Sequence, residues 1–170
     1  MTSEFLPAAT RLCAVCGLCC NGVMFHSVEL QATDRPKELL SLGMKLKKKR
    51  RRNFFRQPCP AHKDSRCSIY EQRPQRCRLF ECRQLLLVRS GEITETSALE
   101  KILEEKKRIA GVENLLDLAG ATNRRRSLKR RHQKVLDEPP DGADVEPLRE
   151  RLTEAMRQLE EVLERDFRGK

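Results

Sequence analysis

The sequence lacks the residues and motifs on which several large classes of protein depend. It contains no tryptophan and one tyrosine, and aromatic residues make up 4% of its 170 positions. No apolar run approaches the ~18 residues of a membrane span, and no basic start followed by an apolar core marks a secretion signal. Glycine-rich nucleotide motifs, an H-E-x-x-H zinc motif and a nucleophile elbow are also missing. We therefore expect a cytoplasmic protein with no membrane association and none of these catalytic signatures.

Charge and cysteine divide the chain into two unlike halves. Lysine and arginine number 35 against 25 acidic residues, a formal charge of +10. Residues 1–90 carry 18 basic and 7 acidic residues, a net of +11, together with all eight cysteines, whereas residues 91–170 carry 17 and 18, a net of −1. This contrast and the local patterns predict a cysteine-cluster metal-binding domain at 1–90, a helical extension at 91–136, a linker at 137–146 and an amphipathic helix at 147–170.

The cysteines follow a spacing that is typical of metal ligands. A C-x2-C step occurs twice in succession and a fourth cysteine follows at once, so a tight turn can aim several sulfurs at one ion or cluster. Disulfides are disfavoured because the cytosol is reducing, and burial of free cysteines in a core does not explain the regular run. The candidate metal ligands are Cys13, Cys16, Cys19, Cys20, Cys59, Cys67, Cys77 and Cys82.

The spacing alone leaves the metal open. The C-x2-C-x2-C run and a distant Cys59-Pro60 resemble the ligands of a [4Fe–4S] cluster in bacterial ferredoxins. Zinc would instead take four thiolates from two pairs, such as Cys16/Cys19 with Cys77/Cys82. If the chain is an enzyme, the bound metal must do the chemistry. For one centre we predict the ligands Cys13, Cys16, Cys19 and Cys59, with the remaining four cysteines forming a second centre or supporting the first.

Three motifs in order resemble a known family. They are the run Cys13-x2-Cys16-x2-Cys19-Cys20, the tripeptide Pro58-Cys59-Pro60, and the segment from Cys67 through Cys77 to Cys82. Over about residues 11–88 the sequence is similar to the CxxCxxCC family, whose YkgJ-like members are described as zinc- or iron-chelating domains. The family is related to flagellin lysine N-methylases, in which such a cluster accompanies a [4Fe–4S] centre and methyl transfer. The resemblance implies an iron–sulfur or zinc centre and, under the enzyme alternative, S-adenosylmethionine.

Residues close to the cysteines have two interpretations each. On one helix that begins after Pro74 and stops at Ser90-Gly91, Cys77 and Cys82 would lie ~140° apart around the axis, so they serve different centres or the helix breaks between them. The arginines of this segment either stabilise thiolates or form ordinary pairs with nearby glutamates. His62 and His26 are less favoured candidate ligands than the cysteines.

Two basic runs are a second candidate for function. Residues 45–52 contain seven basic residues in eight and precede Phe54 and Phe55, and residues 124–131 contain six in eight. Such runs bind phosphates and phenylalanine stacks on bases. A solvated loop and two core phenylalanines are the simpler interpretation, so a zinc module that binds nucleic acid is an alternative we do not favour. An anionic small molecule or an acidic protein fits the charge as well.

The second half of the chain has helical patterns. Apolar spacing predicts helices over 96–110, with Leu99, Ile102, Leu103 and Ile109 on one face, and over 112–118. The final helix has an apolar stripe that packs on the body of the protein or on an unknown protein partner. Only 22–25 and 28–30 offer short strands. The predicted fold is mostly α: a small, loop-rich cysteine-cluster domain organised by metal, followed by a helical C-terminal region.

Overall fold

Helices dominate the computed structural model, which describes residues 8–64, 66–138 and 145–168. The described helices are α1 (Ala8–Cys16), α2 (Pro36–Ser41), α3 (Gln75–Leu79), α4 (Arg83–Ser90), α5 (Glu95–Leu118), α6 (Leu128–Asp137) and α7 (Val145–Leu163), which continues into a π-helical turn (Glu164–Arg168). The strands are β1 (Ser27–Glu29), β2 (Leu46–Lys49), β3 (Arg52–Arg56), β4 (His62–Lys63) and β5 (Arg66–Cys67). The mostly α prediction is confirmed. The predicted linker lies largely outside the described residues.

The segment after Pro74 forms two helices rather than one. Helix α3 ends at Leu79, and the extended backbone of Phe80 and Cys82 separates it from α4. Helix α4 ends where predicted, at Gly91, whose φ of 77° lies in the left-handed region that favours glycine. The break between Cys77 and Cys82, one of the two alternatives that their spacing left open, is therefore present.

Helix α5 is the longest element and forms the centre of the helical region. Its N-cap is Thr94, whose side chain accepts a hydrogen bond from the Ser97 N–H at 3.1 Å. The two helices predicted at 96–110 and 112–118 are one helix of 24 residues. Leu103 is 50% exposed, so its predicted place on the buried face is wrong. It lies about 100° around the axis from Ile102, which faces the core.

The strands lie in the cysteine-rich half. Strand β3 pairs antiparallel with both β1 and β2, and β4 pairs with β5. Residues 45–52, expected as a loop, form most of a β2–β3 hairpin, and only the second of the two predicted strands, near 28–30, is present. No helix in the described part of the chain is both long and apolar enough to cross a membrane.

One large hydrophobic core joins the two halves of the chain. It combines Leu12 and Leu18 with residues from α5, α6 and α7, and most of the predicted stripe on α7 packs within it. Helix α1 is also fixed to α5 by the Arg11 Nε to Glu95 Oε1 bond of 2.7 Å and by Lys106, which donates to the Val15 carbonyl at 2.9 Å. A smaller core under the sheet contains Leu30, Leu39, Met44, Phe55, Ala61 and Ile69. The first cysteines are thus anchored to the helices.

Gly22 joins the cysteine loop to α6. Its carbonyl accepts from the Leu128 N–H at 3.2 Å, and its φ is +87°. A Cβ atom here would lie 3.0 Å from the Ser127 Cα and 3.2 Å from Pro58. Both the backbone conformation and the space therefore require glycine.

We expect Gly22→Ala to lower the free energy of unfolding by about 2 kcal/mol, because alanine adds left-handed strain and a backbone clash. Gly111→Ala is the matched control, since nothing lies within 4 Å of a Cβ at that helical position and alanine favours a helix by up to about 1 kcal/mol. Urea unfolding of both variants measures the difference. Equal free energies of unfolding in the two variants would show that the space around Gly22 can accept a Cβ atom.

Candidate metal centre

The first cysteines are placed by a helix end and a glycine turn. Helix α1 carries Cys13 and ends at Cys16, and Gly17 follows with a φ of +67°. The Gly17 carbonyl then accepts hydrogen bonds from the N–H groups of Cys20 and Asn21, both at 2.9 Å. After this turn, Cys19 and Cys20 are both electrostatic neighbours of Cys13 on α1.

Cys82 reaches the same place from α4. It is the N-cap residue of that helix, and α4 packs against α1, α5 and the π-helical turn. Burial raises the pKa of the Cys82 thiol, while the backbone N–H groups of Leu85 and Gln84 oppose the rise. A thiolate here would be stabilised by the helix N-terminus.

Electrostatic neighbours define a first cysteine group, which consists of Cys13, Cys16, Cys19 and Cys82. Burial raises the pKa of Cys13, of Cys16 (to about 12) and of Cys19, and repulsion from Cys82 adds to the rise in all three. The thiols are therefore close together and resist ionisation when no cation balances their charge.

A second cysteine group consists of Cys20, Cys59, Cys67 and Cys77. Burial first, and then Cys59, Cys77 and Cys67, raise the pKa of Cys20 to about 12. Burial, Cys59 and Cys67 likewise raise the pKa of Cys77 to about 12. Three features position these cysteines. They are a 2.8 Å hydrogen bond from the Cys59 N–H to the Cys20 carbonyl, the β4–β5 pair and α3.

This grouping differs from the partition that the sequence suggested. Cys82, not Cys59, joins Cys13, Cys16 and Cys19, because α4 docks on α1 whereas the Cys59 loop is hydrogen-bonded to Cys20. Cys77 and Cys82 fall into different groups, as one of the two predicted alternatives required. Cys19 and Cys20, adjacent in the chain, belong to different groups and also interact with each other.

All eight cysteines line one cavity of about 1120 Å³. Within the described ranges, no three His, Cys, Asp or Glu side chains already surround a point closely enough to hold a metal ion. The structure therefore provides two groups of thiols and a shared space, rather than a finished coordination shell.

The two histidines considered as candidate ligands, His62 and His26, differ in position. His62 lines the cavity, and its ring lies 3.2 Å from where a Cβ on Gly17 would stand. Its buried Nε2 atom has no hydrogen-bond partner in the described structure, and burial lowers the pKa of the imidazole. His26 is exposed, and its charged neighbours are Arg130 and Lys129. His62 alone of the two remains near the thiols.

Arg73 is a charged neighbour of one cysteine in each group. Its guanidinium covers the Tyr70 ring at 3.6 Å, and its Nε donates to the Tyr70 carbonyl at 2.9 Å. Burial raises the pKa of both Cys13 and Cys77, and the Arg73 charge opposes that rise in each. Glu81 pairs with Arg89 at 2.6 Å. For Arg73, stabilisation of thiolates is therefore the better of the two interpretations.

The donor set fits a thiophilic metal. Buried thiols gain from losing their protons only when a cation takes their place, and four thiolates suit either zinc or an iron–sulfur cluster. The orphaned Nε2 of His62 is a further donor at the same cavity. The fold and site define a helical protein with a cysteine-lined cavity suited to metal.

The family assignment agrees with this class. Residues 12–107, more than half of the chain, match the profile of the CxxCxxCC family, described as "Putative zinc- or iron-chelating domain". The chain belongs to the CxxCxxCC family. The match includes all eight cysteines of both groups. Comparison with the curated proteins and with the solved structures gave no significant match.

Proposed function

We propose that the protein binds metal in two adjacent four-thiolate centres. The first uses Cys13, Cys16, Cys19 and Cys82, and the second uses Cys20, Cys59, Cys67 and Cys77. The observation that supports this is that all eight thiols line one cavity and that most cysteine neighbours of each thiol belong to its own group of four. Interactions of Cys20 with Cys19 and with Cys13 cross the boundary between the groups. Four thiolates are also the number that a zinc site or an iron–sulfur cluster takes from cysteine alone.

The contact between the groups supports two centres rather than one with spare ligands. Cys19 and Cys20 are consecutive, and the Cys20 carbonyl is held by the Cys59 N–H at 2.8 Å. Ferredoxins with two clusters share this property, because one cysteine of a compact motif ligates the other cluster. Arg73 interacts with a thiol from each group, so one cation serves both.

We infer iron–sulfur clusters rather than zinc as the contents, because Cys13-x2-Cys16-x2-Cys19 with a distant Cys59-Pro60 has the spacing of [4Fe–4S] ligands. The cavity of about 1120 Å³ has room for such clusters. Bound iron–sulfur clusters would supply one-electron transfer, whereas zinc would supply stability alone. In either case the role of the chain is to hold the thiolates, shield them from water and balance their charge.

The test is anaerobic purification followed by iron, zinc and acid-labile sulfide analysis of one sample. Iron with matching sulfide, at a level that Cys16→Ala lowers, is the expected result. Zinc without sulfide, from cells supplied with iron, would support the two centres but would contradict the assignment of iron–sulfur clusters to them. If neither iron nor zinc exceeds the level found in an all-serine variant of the eight cysteines, metal binding is refuted.

Methyl transfer, which the resemblance to flagellin lysine N-methylases implies, stays a prediction, and calorimetry with S-adenosylmethionine tests it.

A further inference from the structure

The outer face of the three-stranded sheet is basic. In the antiparallel register, Lys47 stands opposite Phe54, and Lys49 stands opposite Arg52. Because side chains alternate along a strand, Arg52, Phe54 and Arg56 share one face of β3, and Lys47 and Lys49 lie on the same face of β2. We call these five residues the basic face.

Phe54 is the centre of the basic face and lies outside both hydrophobic cores. Its neighbour Phe55 is 1% exposed and belongs to the smaller core under the sheet. Phe54 is only half-buried and belongs to neither core in the described part of the chain. The expectation that both phenylalanines are core residues is therefore right for Phe55 only. The ring lies between Lys47 of β2 and Glu29 of β1, with Arg52 and Arg56 on either side along β3, and it is partly open to solvent.

The basic face continues onto α6. Arg130 interacts electrostatically with Arg56 and Arg126, and its pKa is lowered first by burial and then by these charges. His26 lies beside Lys129 and Arg130. Residues far apart in the sequence thus add their positive charges to one surface, which costs free energy unless an anion covers it.

These cations differ from those that serve the fold. Arg124 and Arg131, in the same basic run, form ion pairs with Glu113 and Asp117. On the basic face, Glu29 pairs with Arg52 at 3.1 Å. No ion pair within the described ranges involves the remaining cations of this surface, which are Lys47, Lys49, Arg56, Arg126, Lys129 and Arg130.

We infer that the basic face binds single-stranded nucleic acid, with Phe54 stacking on a base and the surrounding cations contacting phosphates. An aromatic residue on a sheet face within a positive surface is the arrangement that unpaired strands use. A duplex keeps its bases stacked and cannot offer one to a half-buried ring. This inference does not depend on the metal centres.

The test uses the full chain as purified and fluorescein-labelled 20-nucleotide single strands of mixed sequence, in RNA and DNA forms. We expect binding whose affinity falls about 10²-fold between 50 and 200 mM salt, as ~5 phosphate contacts require. Arg56→Glu should weaken binding at least 10-fold. Lys107→Glu, an equal charge change on the exposed surface of α5, should change it less than 2-fold. Preference for either RNA or DNA supports the inference.

Stacking is tested at Phe54 itself. Phe54→Tyr keeps the ring and should bind within 2-fold of the original chain, whereas Phe54→Leu keeps the apolar bulk and should lose about 5- to 100-fold. Circular dichroism confirms that each variant folds. The inference is overturned by no binding at 50 mM salt, by equal losses in Arg56→Glu and Lys107→Glu, or by equal binding of the Tyr and Leu variants. Tighter binding to duplex, or binding only to anionic lipid vesicles, also overturns it.

Discussion

A protein carrying both Cys16→Ser and Cys82→Ser is expected to retain about half of its metal, because both substitutions fall in the first cysteine group. A protein carrying Cys16→Ser and Cys59→Ser is expected to retain almost none, because each group then loses a ligand. Every centre needs its four thiolates, and serine is a poor ligand for thiophilic metals. Metal and sulfide analysis of the two double variants, purified in parallel, measures the ratio.

The two double variants are matched, since each removes two thiols of the same cavity. The partition suggested by sequence alone makes the opposite prediction, because it places Cys59 with Cys16 and Cys82 in the other set. The reverse order of metal contents would therefore favour that partition over the structure. Equal contents would mean that the eight cysteines do not act as two sets.

Loss of a metal centre should also lower the free energy of unfolding. A structural zinc site contributes ~10–16 kcal/mol of binding free energy in small peptides, which is comparable to the whole net stability of a domain. The small core under the sheet cannot replace such a contribution, whereas α5 and α7 share the large core. When the second centre is lost, hydrogen exchange should accordingly increase around Cys59, Cys67 and Cys77, which pack against the small core, and remain slow in α5 and α7.

Arg131→Met is expected to lower the free energy of unfolding by about 3 kcal/mol, because it removes a buried guanidinium that donates to two oxygens and also pairs with Glu113. The Arg131 side chain is 2% exposed. Its Nε donates to the Ala121 carbonyl at 2.7 Å, and one terminal nitrogen donates to Asp117 at 2.7 Å. Methionine keeps the apolar stem but leaves the carbonyl without its donor.

Arg125→Met is the control for this prediction, because Arg125 is an exposed residue of the same basic run. This substitution should change the free energy of unfolding by no more than about 0.5 kcal/mol. Thermal unfolding should place the midpoint of Arg131→Met about 6–12 °C below that of the control, with the metal content of both proteins unchanged. Similar midpoints would show that Arg131 contributes no more than a surface charge.

Local signals in the sequence predicted the parts of this structure that local interactions determine. The glycine that ends α4 and the apolar stripe of α7 were both predictable, because each depends on conformation or periodicity within one helix. The eight cysteines were recognisable as a set from their spacing. Their division into two groups was not, because it depends on how α4 docks against α1.

The β2–β3 hairpin shows a different limit. Its turn is made by Arg50 and Arg51, whose φ values are 47° and 67°, whereas such turns usually contain asparagine or glycine. A run of lysine and arginine therefore gave no turn signal and was interpreted as a loop. On β3 of this hairpin, Phe54 and Phe55 lie on opposite faces of the sheet, and no sequence pattern distinguished the two residues.

The helices behind the first cysteine group come late in the chain. Roughly 80 residues separate Cys82 from the end of α7, and a ribosome adding ~5–20 residues per second needs about 4–16 s to make them. During that interval all eight thiols have been synthesised, but the last helix of the core against which α1 packs has not. A nascent chain thus carries all eight thiols before the last helix of its scaffold exists, which gives a metal carrier or an oxidant several seconds to reach them.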